Sequence, residues 1–367
     1  MPDNQTAAAA AKRERRTVKS INVALQGGAA HGAFTWGVLD RLMRDGRIFI
    51  SGISGTSSGA MNGVVFADGF LKGKRQGAID ALENFWRRIS RAGGVFQLPG
   101  TPFAQLVPEP FRKALDDWRA LTFSMASRML SPYQTNPTNQ NPLREILAET
   151  IDFANLRSRR DIMLYVTATN VRWSKARIFR TPELTLDTLL ASACLPTLFQ
   201  AVEIDGEHYW DGGYLGNPAI YPLIHECNST DVLLVQVNPI YRPEVPRTAA
   251  DIIDRLNEIS FNSCVMREMA GIATITKLME AGALSSEAYQ RVNFHLIEAN
   301  NELGALSSMS KFETDWGFLR TLYELGVAKA DAFLAAHFDD LGQKSTLDVI
   351  GLFREPELQL DECRPAP

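Results

Sequence analysis

The chain's first seventy residues twice repeat one pattern, an apolar run closed by a glycine turn and followed by a helix-spaced segment. Residues 20–26 (Ser-Ile-Asn-Val-Ala-Leu-Gln) are a short apolar run ending in Gly27-Gly28, which reads as a buried strand feeding a tight turn. After His31-Gly32, the segment Ala33–Arg44 carries Phe34, Val38 and Leu42 at helical spacing beside Leu39 and Met43. A second short strand, Ile50–Ile53, runs into Gly55-Thr56-Ser57-Ser58-Gly59, and Ala60–Phe70 is then apolar on nearly every face. A helix of that kind is buried against a sheet. Two such units in succession predict an α/β domain with parallel strands.

Residues 91–141 break this regularity. Pro and Gly punctuate them, and Phe96, Phe103, Phe111, Trp118, Phe123 and Tyr133 are scattered through. They read as an insertion with one or two short helices, either a lid or a segment packed beneath a helical cap. Regular elements return with a helix at Pro142–Ile151, strands at Ile162–Thr169 and Arg177–Phe179, a helix at Leu186–Ala193, a strand pair within Ala201–Trp210 and a strand at Val232–Val237. From about residue 248 the pattern is helical, broken by one strand-like run, Val292–Ile297. The apolar residues of Asp251–Leu278 suit core helices, with a membrane-surface or dimer-contact helix as the alternative.

A formal net charge of −4 over 367 residues gives no bulk electrostatic reason to bind nucleic acid. Cys194, Cys227, Cys264 and Cys363 lie far apart without metal-type spacing, as free thiols of a reducing compartment do. The N-terminus runs through alanines into Lys12-Arg13-Glu14-Arg15-Arg16, the reverse order of a secretory signal. No run of 18 apolar residues is present, so no spanning helix is expected. These features predict a cytoplasmic protein, with peripheral contact to a lipid surface as an option. Residues 1–19 are expected to be a solvated, disordered basic tail.

Gly55-x-Ser57-x-Gly59 sits where a nucleophilic serine gains most, on a sharp strand-to-helix turn that projects its hydroxyl clear of the backbone. Glycines two residues to either side remove side chains that would clash in that turn, and the helix behind Ser57 directs its positive end at any oxyanion that forms. A Gly-rich turn capped by serines is the plainer reading of the five residues. Gly27-Gly28-Ala29-Ala30-His31-Gly32 also joins a strand to a helix, and backbone N–H groups in such a loop can converge on a negative oxygen. The loop lacks both the G-x-G-x-x-G register and the Lys-Ser/Thr of a phosphate loop. An oxyanion hole fits it better than a nucleotide cradle.

Together with the later Asp211-Gly212-Gly213, these two loops resemble the patatin-like phospholipase family. Its signatures are a Gly-rich oxyanion loop after the first strand, a Gly-x-Ser-x-Gly elbow after the next, and Asp-Gly-Gly much later. The resemblance covers residues 20–240 and implies a three-layer α/β/α fold similar to the catalytic domain of cytosolic phospholipase A2. The remaining residues, 241–367, would form a mostly helical extension packed on that core. It further implies a carboxylic ester hydrolase with a Ser–Asp dyad. Ser57 would be the nucleophile, Asp211 its base, and Gly27, Gly28 and Ala29 the oxyanion donors. Gly32, Gly55, Gly59, Gly212, Gly213 and His31 would support the loops. No metal or organic cofactor is implied. The partner would be a lipid ester, met at a membrane or lipid surface.

Two departures stand out: the family's third loop glycine is Ala29, and the arginine common further along is His31. If position 29 needs a positive φ, its methyl group costs on the order of 1 kcal/mol. Read alone, Asp211 is a hairpin turn residue and His31 a loop brace. An ordinary α/β-hydrolase with a Ser–Asp/Glu–His order is the rival, since His225, His295 and His337 follow Asp211. Tyr209 and Trp210 are expected to wall Asp211 and raise its pKa. Ala191–Phe199 resembles a family segment between the elbow and the aspartate and, taken alone, reads as a helix end with a Pro-terminated turn; Asn217-Pro218 reads as a helix start. A weakly active or inactive lipid-surface or granule-binding protein and an acyltransferase are the alternative functions. The ester cleaved and the oligomeric state are not set by the sequence.

Overall fold

Strand β1, Lys19–Leu25, turns Ile21, Val23 and Leu25 to one face of a sheet and Ala24 to the other, and all four are fully buried. A strand apolar on both faces must be covered on both, and that requirement builds the three layers. The computed structural model describes residues 18–93, 130–242, 244–285, 291–306 and 308–353. Most of the expected basic tail and most of the 91–141 insertion, with any lid in it, lie outside these residues.

Helices α1 (Gly32–Asp45) and α2 (Ser58–Arg91) follow β1 and β2 (Ile48–Thr56) as the glycine turns predict. Helix α2 runs well past Phe70 and kinks at Gly73-Lys74. Further along come α3 (Pro142–Thr150), α4 (Phe153–Ser158), β3 (Met163–Asn170), β4 (Lys175–Arg180) and α5 (Leu186–Ser192). Then β5 (Val202–Ile204), β6 (Glu207–Asp211), α6 (Tyr221–Glu226) and β7 (Asp231–Val235) complete the stretch. The remaining elements are α7 (Ala249–Glu280), β8 (Asn293–Ile297), α8 (Asn300–Gly304) and α9 (Trp316–His337).

The sheet runs β8-β7-β1-β2-β3-β4, with all pairs from β8 to β3 parallel and β4 antiparallel. On one face lie α1, α2 and α9; Gly37 and Gly326 let α1 and α9 touch backbone to backbone, since a Cβ on Gly37 would fall 2.0 Å from the Tyr323 carbonyl oxygen. On the other face, Val232, Leu234 and Phe294 of the sheet pack with Ile220, Leu223, Val265 and Met269 from the region of α6 and α7. The C-terminal part is therefore mostly helical, yet β8, its one strand among the described residues, extends the same sheet. Cys194, Cys227 and Cys264 are free thiols. No described helix is long and apolar enough to cross a membrane.

The β5–β6 hairpin positions the site. Strand β3 gives one edge to β4 over Tyr165–Asn170, so β2 and β6 must share the other. There β2 pairs with residues 163–167 and stops at Thr56↔Thr167; β6 takes over at Ala168↔Asp211. The register thus sets Asp211 one step beyond the end of β2, where Ser57 begins the turn.

Candidate active site

Ser57 adopts φ 55° and ψ −125°, a conformation that costs a residue with a Cβ on the order of 1–3 kcal/mol. The glycines around it make the turn sterically feasible. A Cβ on Gly59 would stand 2.2 Å from the Leu25 carbonyl oxygen, and one on Gly55 would fall 2.7 Å from Gly59. The Ser57 carbonyl accepts the Met61 amide at 3.0 Å, so α2 starts at once behind the hydroxyl.

Asp211 is 3% exposed. Burial pushes its carboxyl up to about 7, opposed by the Gly213 N–H, which donates to Oδ1 at 2.7 Å, and by the nearby Ser57 side chain. A base near neutrality suits proton abstraction far better than an ordinary aspartate. The apolar wall differs in part from the one expected. Side chains alternate along a strand, so Trp210 is directed to the face opposite Asp211, while Tyr209, on the same face as Asp211, packs edge-on to Phe179. Beside the carboxyl, a Cβ on Gly213 would meet both Phe261 of α7, at 2.8 Å, and Asp211 Oδ1, at 3.0 Å.

The loop after β1 abuts the elbow: a Cβ on Gly27 would lie 2.7 Å from Ser57 Cβ. Its amides are not equally available. Gly27 N–H donates to Asn217 Oδ1 at 2.6 Å, and Gly28 N–H to Ser58 Oγ at 3.0 Å. No side-chain acceptor among the described residues takes the Ala29 amide. Ala29 has φ 51°, the positive value that favours glycine, so the loop carries the methyl in a left-handed conformation. Gly32 lies against Ser58, where a Cβ would fall 2.7 Å from Oγ.

His31 is buried and its Nε2 pairs with Ser310 Oγ at 2.7 Å, while its ring faces Phe318. Burial, then the nearby Lys311 ammonium, lower its pKa to about 3, so the ring is neutral. It joins the loop to the 308–312 turn and makes no contact with Asp211. Of the three histidines after Asp211, His295 binds Asp231 and Thr346, His337 binds Asp340, and His225 ends α6. None completes a histidine triad with Ser57.

Three supports were not foreseen. Asn217 does not cap a helix: α6 begins at Tyr221, and the Asn217 side chain holds Gly27 instead. Asn238 Nδ2 donates to the Gly27 carbonyl at 2.7 Å, and half-buried Lys311 donates to Asn238 Oδ1 at 3.1 Å. Ser192, in the segment read as a plain helix end, accepts the Ser57 N–H at 2.9 Å. Each bond spans more than seventy residues of sequence, so nothing in local spacing announces it. The one available signal is a polar residue closing the apolar run Leu189-Leu190-Ala191.

Comparison with known proteins places this arrangement. No curated protein matches the chain. Among solved structures, VipD from Legionella pneumophila aligns at 14% identity and a TM-score of 0.39, covering 87% of this chain and 67% of that one. The ExoU–SpcU complex from the type III secretion system of Pseudomonas aeruginosa aligns at 15% identity and a TM-score of 0.27, covering 91% of this chain and 65% of its own. The chain thus spans about two thirds of each. The family model described as Patatin-like phospholipase matches residues 23–224. That single stretch, more than half of the chain, runs through the loop after β1, the Ser57 elbow and the Asp211 strand, and the chain belongs to the patatin-like phospholipase family.

Proposed function

We propose that the protein is a serine lipid acyl hydrolase, a phospholipase A or lysophospholipase type of carboxylester hydrolase, acting through a Ser57–Asp211 dyad. The observation that carries this reading is the juxtaposition of a serine held at positive φ with a buried carboxyl poised near neutrality. Ser57 Oγ attacks the ester carbonyl carbon and its proton passes to the Asp211 carboxylate. The negative oxygen of the tetrahedral intermediate is held by amides of the loop after β1 and by the positive end of α2. Ala29 is the donor best suited, since the Gly27 amide is tied to Asn217 and the Gly28 amide to Ser58. The intermediate collapses by breaking the bond to the alcohol, which leaves with the proton from Asp211. Water, deprotonated by Asp211, then attacks the acyl-Ser57 carbonyl; the acyl bond to Ser57 Oγ breaks as Oγ takes the proton back from Asp211, and the fatty acid is released. The substrate would be met at a membrane or lipid surface, and the protein would work in the cytoplasm.

The test is fatty-acid release from mixed phospholipid vesicles by wild type, Ser57→Ala and Asp211→Asn, with folding checked by circular dichroism. Wild-type release, lost by at least about a thousandfold in both folded variants, supports the dyad. A second reading, a lipid-surface binder with little turnover, draws on the engagement of the Gly27 and Gly28 amides by Asn217 and Ser58. It takes the lead if wild type neither releases acid nor labels at Ser57 with a fluorophosphonate while still sedimenting with vesicles.

A further inference from the structure

The strain at Ser57 requires something to hold it. A residue with φ 55° and ψ −125° relaxes unless its surroundings over-determine it. The glycines provide room but no restraint. The Ser57 N–H lies outside the α2 hydrogen-bond ladder, and its acceptor is Ser192 Oγ at 2.9 Å. That hydroxyl in turn donates to the Thr167 carbonyl at 2.7 Å, and the Ser192 side chain has no exposure to solvent. One oxygen therefore joins the nucleophile's amide to strand β3, with its proton and one of its two lone pairs committed.

The same turn reaches the other half of the dyad. Two residues on, the Cys194 carbonyl accepts the Asp211 N–H at 2.8 Å. Thr167 is the β3 residue opposite Thr56, and the next residue, Ala168, is opposite Asp211. Residues 192–194 thus bind the backbone amides of both Ser57 and Asp211 at the register step where β2 ends and β6 begins.

We propose that Ser192 is a positioning residue for the acyl-transfer reaction, fixing the nucleophile at the separation from Asp211 that proton transfer needs. This rests on the hydrolase reading above. Ser192 touches neither substrate nor reacting atoms. Its bond also takes the Ser57 amide away from oxyanion duty, which leaves that task to the loop after β1.

Ser192→Ala leaves the Ser57 amide and the Thr167 carbonyl without their partner and lets the elbow relax. Small displacements of a reacting group cost up to about a hundredfold in rate. The control is Thr188→Ala, in the same helix, whose hydroxyl closes the capping box with Thr185 and touches nothing near Ser57. For Ser192→Ala the expected result is a kcat about 10- to 100-fold lower, a KM within about twofold, and fluorophosphonate inactivation slowed by the same factor as kcat. Rates are normalised to the folded fraction, and Thr188→Ala keeps wild-type kcat. A Ser192→Ala enzyme with wild-type kcat and labelling rate overturns the proposal. So does a Thr188→Ala enzyme that loses as much activity at equal loss of stability. A wild type that neither turns over nor labels overturns the hydrolase reading itself, and the positioning role with it.

Discussion

Replacing Asp211 by asparagine should stabilise the protein, and increasingly so as pH rises. Folding raises this carboxyl from the ordinary 3.8 to about 7, so the folded chain holds the proton where the unfolded chain has released it. Below pH 3.8 both states are protonated and no stability is lost; between that value and about 7 wild type loses it steadily; above 7 the loss is complete. At 1.36 kcal/mol for each pH unit, the gap amounts to roughly 1–2 kcal/mol at pH 5 and roughly 4 kcal/mol at pH 8.5. Asparagine has no proton to release and keeps an oxygen for the Gly213 amide, so its stability lacks this decline. Cys194 and Tyr214 feel the Asp211 charge, but burial, the larger cause of their raised values, keeps both protonated through pH 8.5, so the other groups cancel in the difference. Urea unfolding of wild type and Asp211→Asn at the two pH values measures it directly. Asp211→Asn should be the more stable protein by about 2–3 kcal/mol more at pH 8.5 than at pH 5. An advantage that is the same at both values would refute the reasoning, because the carboxyl would then titrate alike folded and unfolded. A confirmed gap would mean that the site sacrifices stability to keep a base in an apolar place.

On the dyad reading, the same carboxyl sets the pH dependence of turnover. It works as a base only when deprotonated, so kcat/KM should rise tenfold for each pH unit up to about 7 and then level; an acid limb near 4 would show that Asp211 is not the group that titrates. At position 29 the loop already holds φ 51° with alanine in place. Ala29→Gly should therefore keep kcat/KM within about threefold and stability within about 1 kcal/mol, relief of strain being offset by the greater freedom of unfolded glycine. A tenfold or larger gain would show that the methyl displaces the oxyanion amides.

Much of the site could be read from sequence because its parts are local. A positive φ or a close backbone approach demands glycine within two residues, so the loop after β1 and the Ser57 elbow leave a visible trace in five or six letters. Strands buried on both faces read as apolar runs, which is why β1, β2, β3 and β7 fall where the pattern puts them. The expected Asn217 cap failed because an amide side chain can satisfy a helix end or a distant loop equally well, and here Gly27, 190 residues away in sequence, takes it. His31 shows the converse. Its type invites a base role, and only its burial against Ser310 and Phe318 makes it a neutral brace.

By itself the sequence determined the α/β class, the two glycine turns and the residue types able to do acyl chemistry, since these follow from backbone geometry within a few residues. Tertiary structure decided which of them meet. Ser57 reaches Asp211 because β6 takes the edge of β3 that β2 vacates, at Ala168↔Asp211 just past Thr56↔Thr167, and strand pairing of that kind leaves no mark in periodicity. It also decided that the Asp211 carboxyl lies near neutrality and that Ser192 and Asn217 bind the loops. Desolvation and hydrogen bonds between distant residues exist only once the chain has folded.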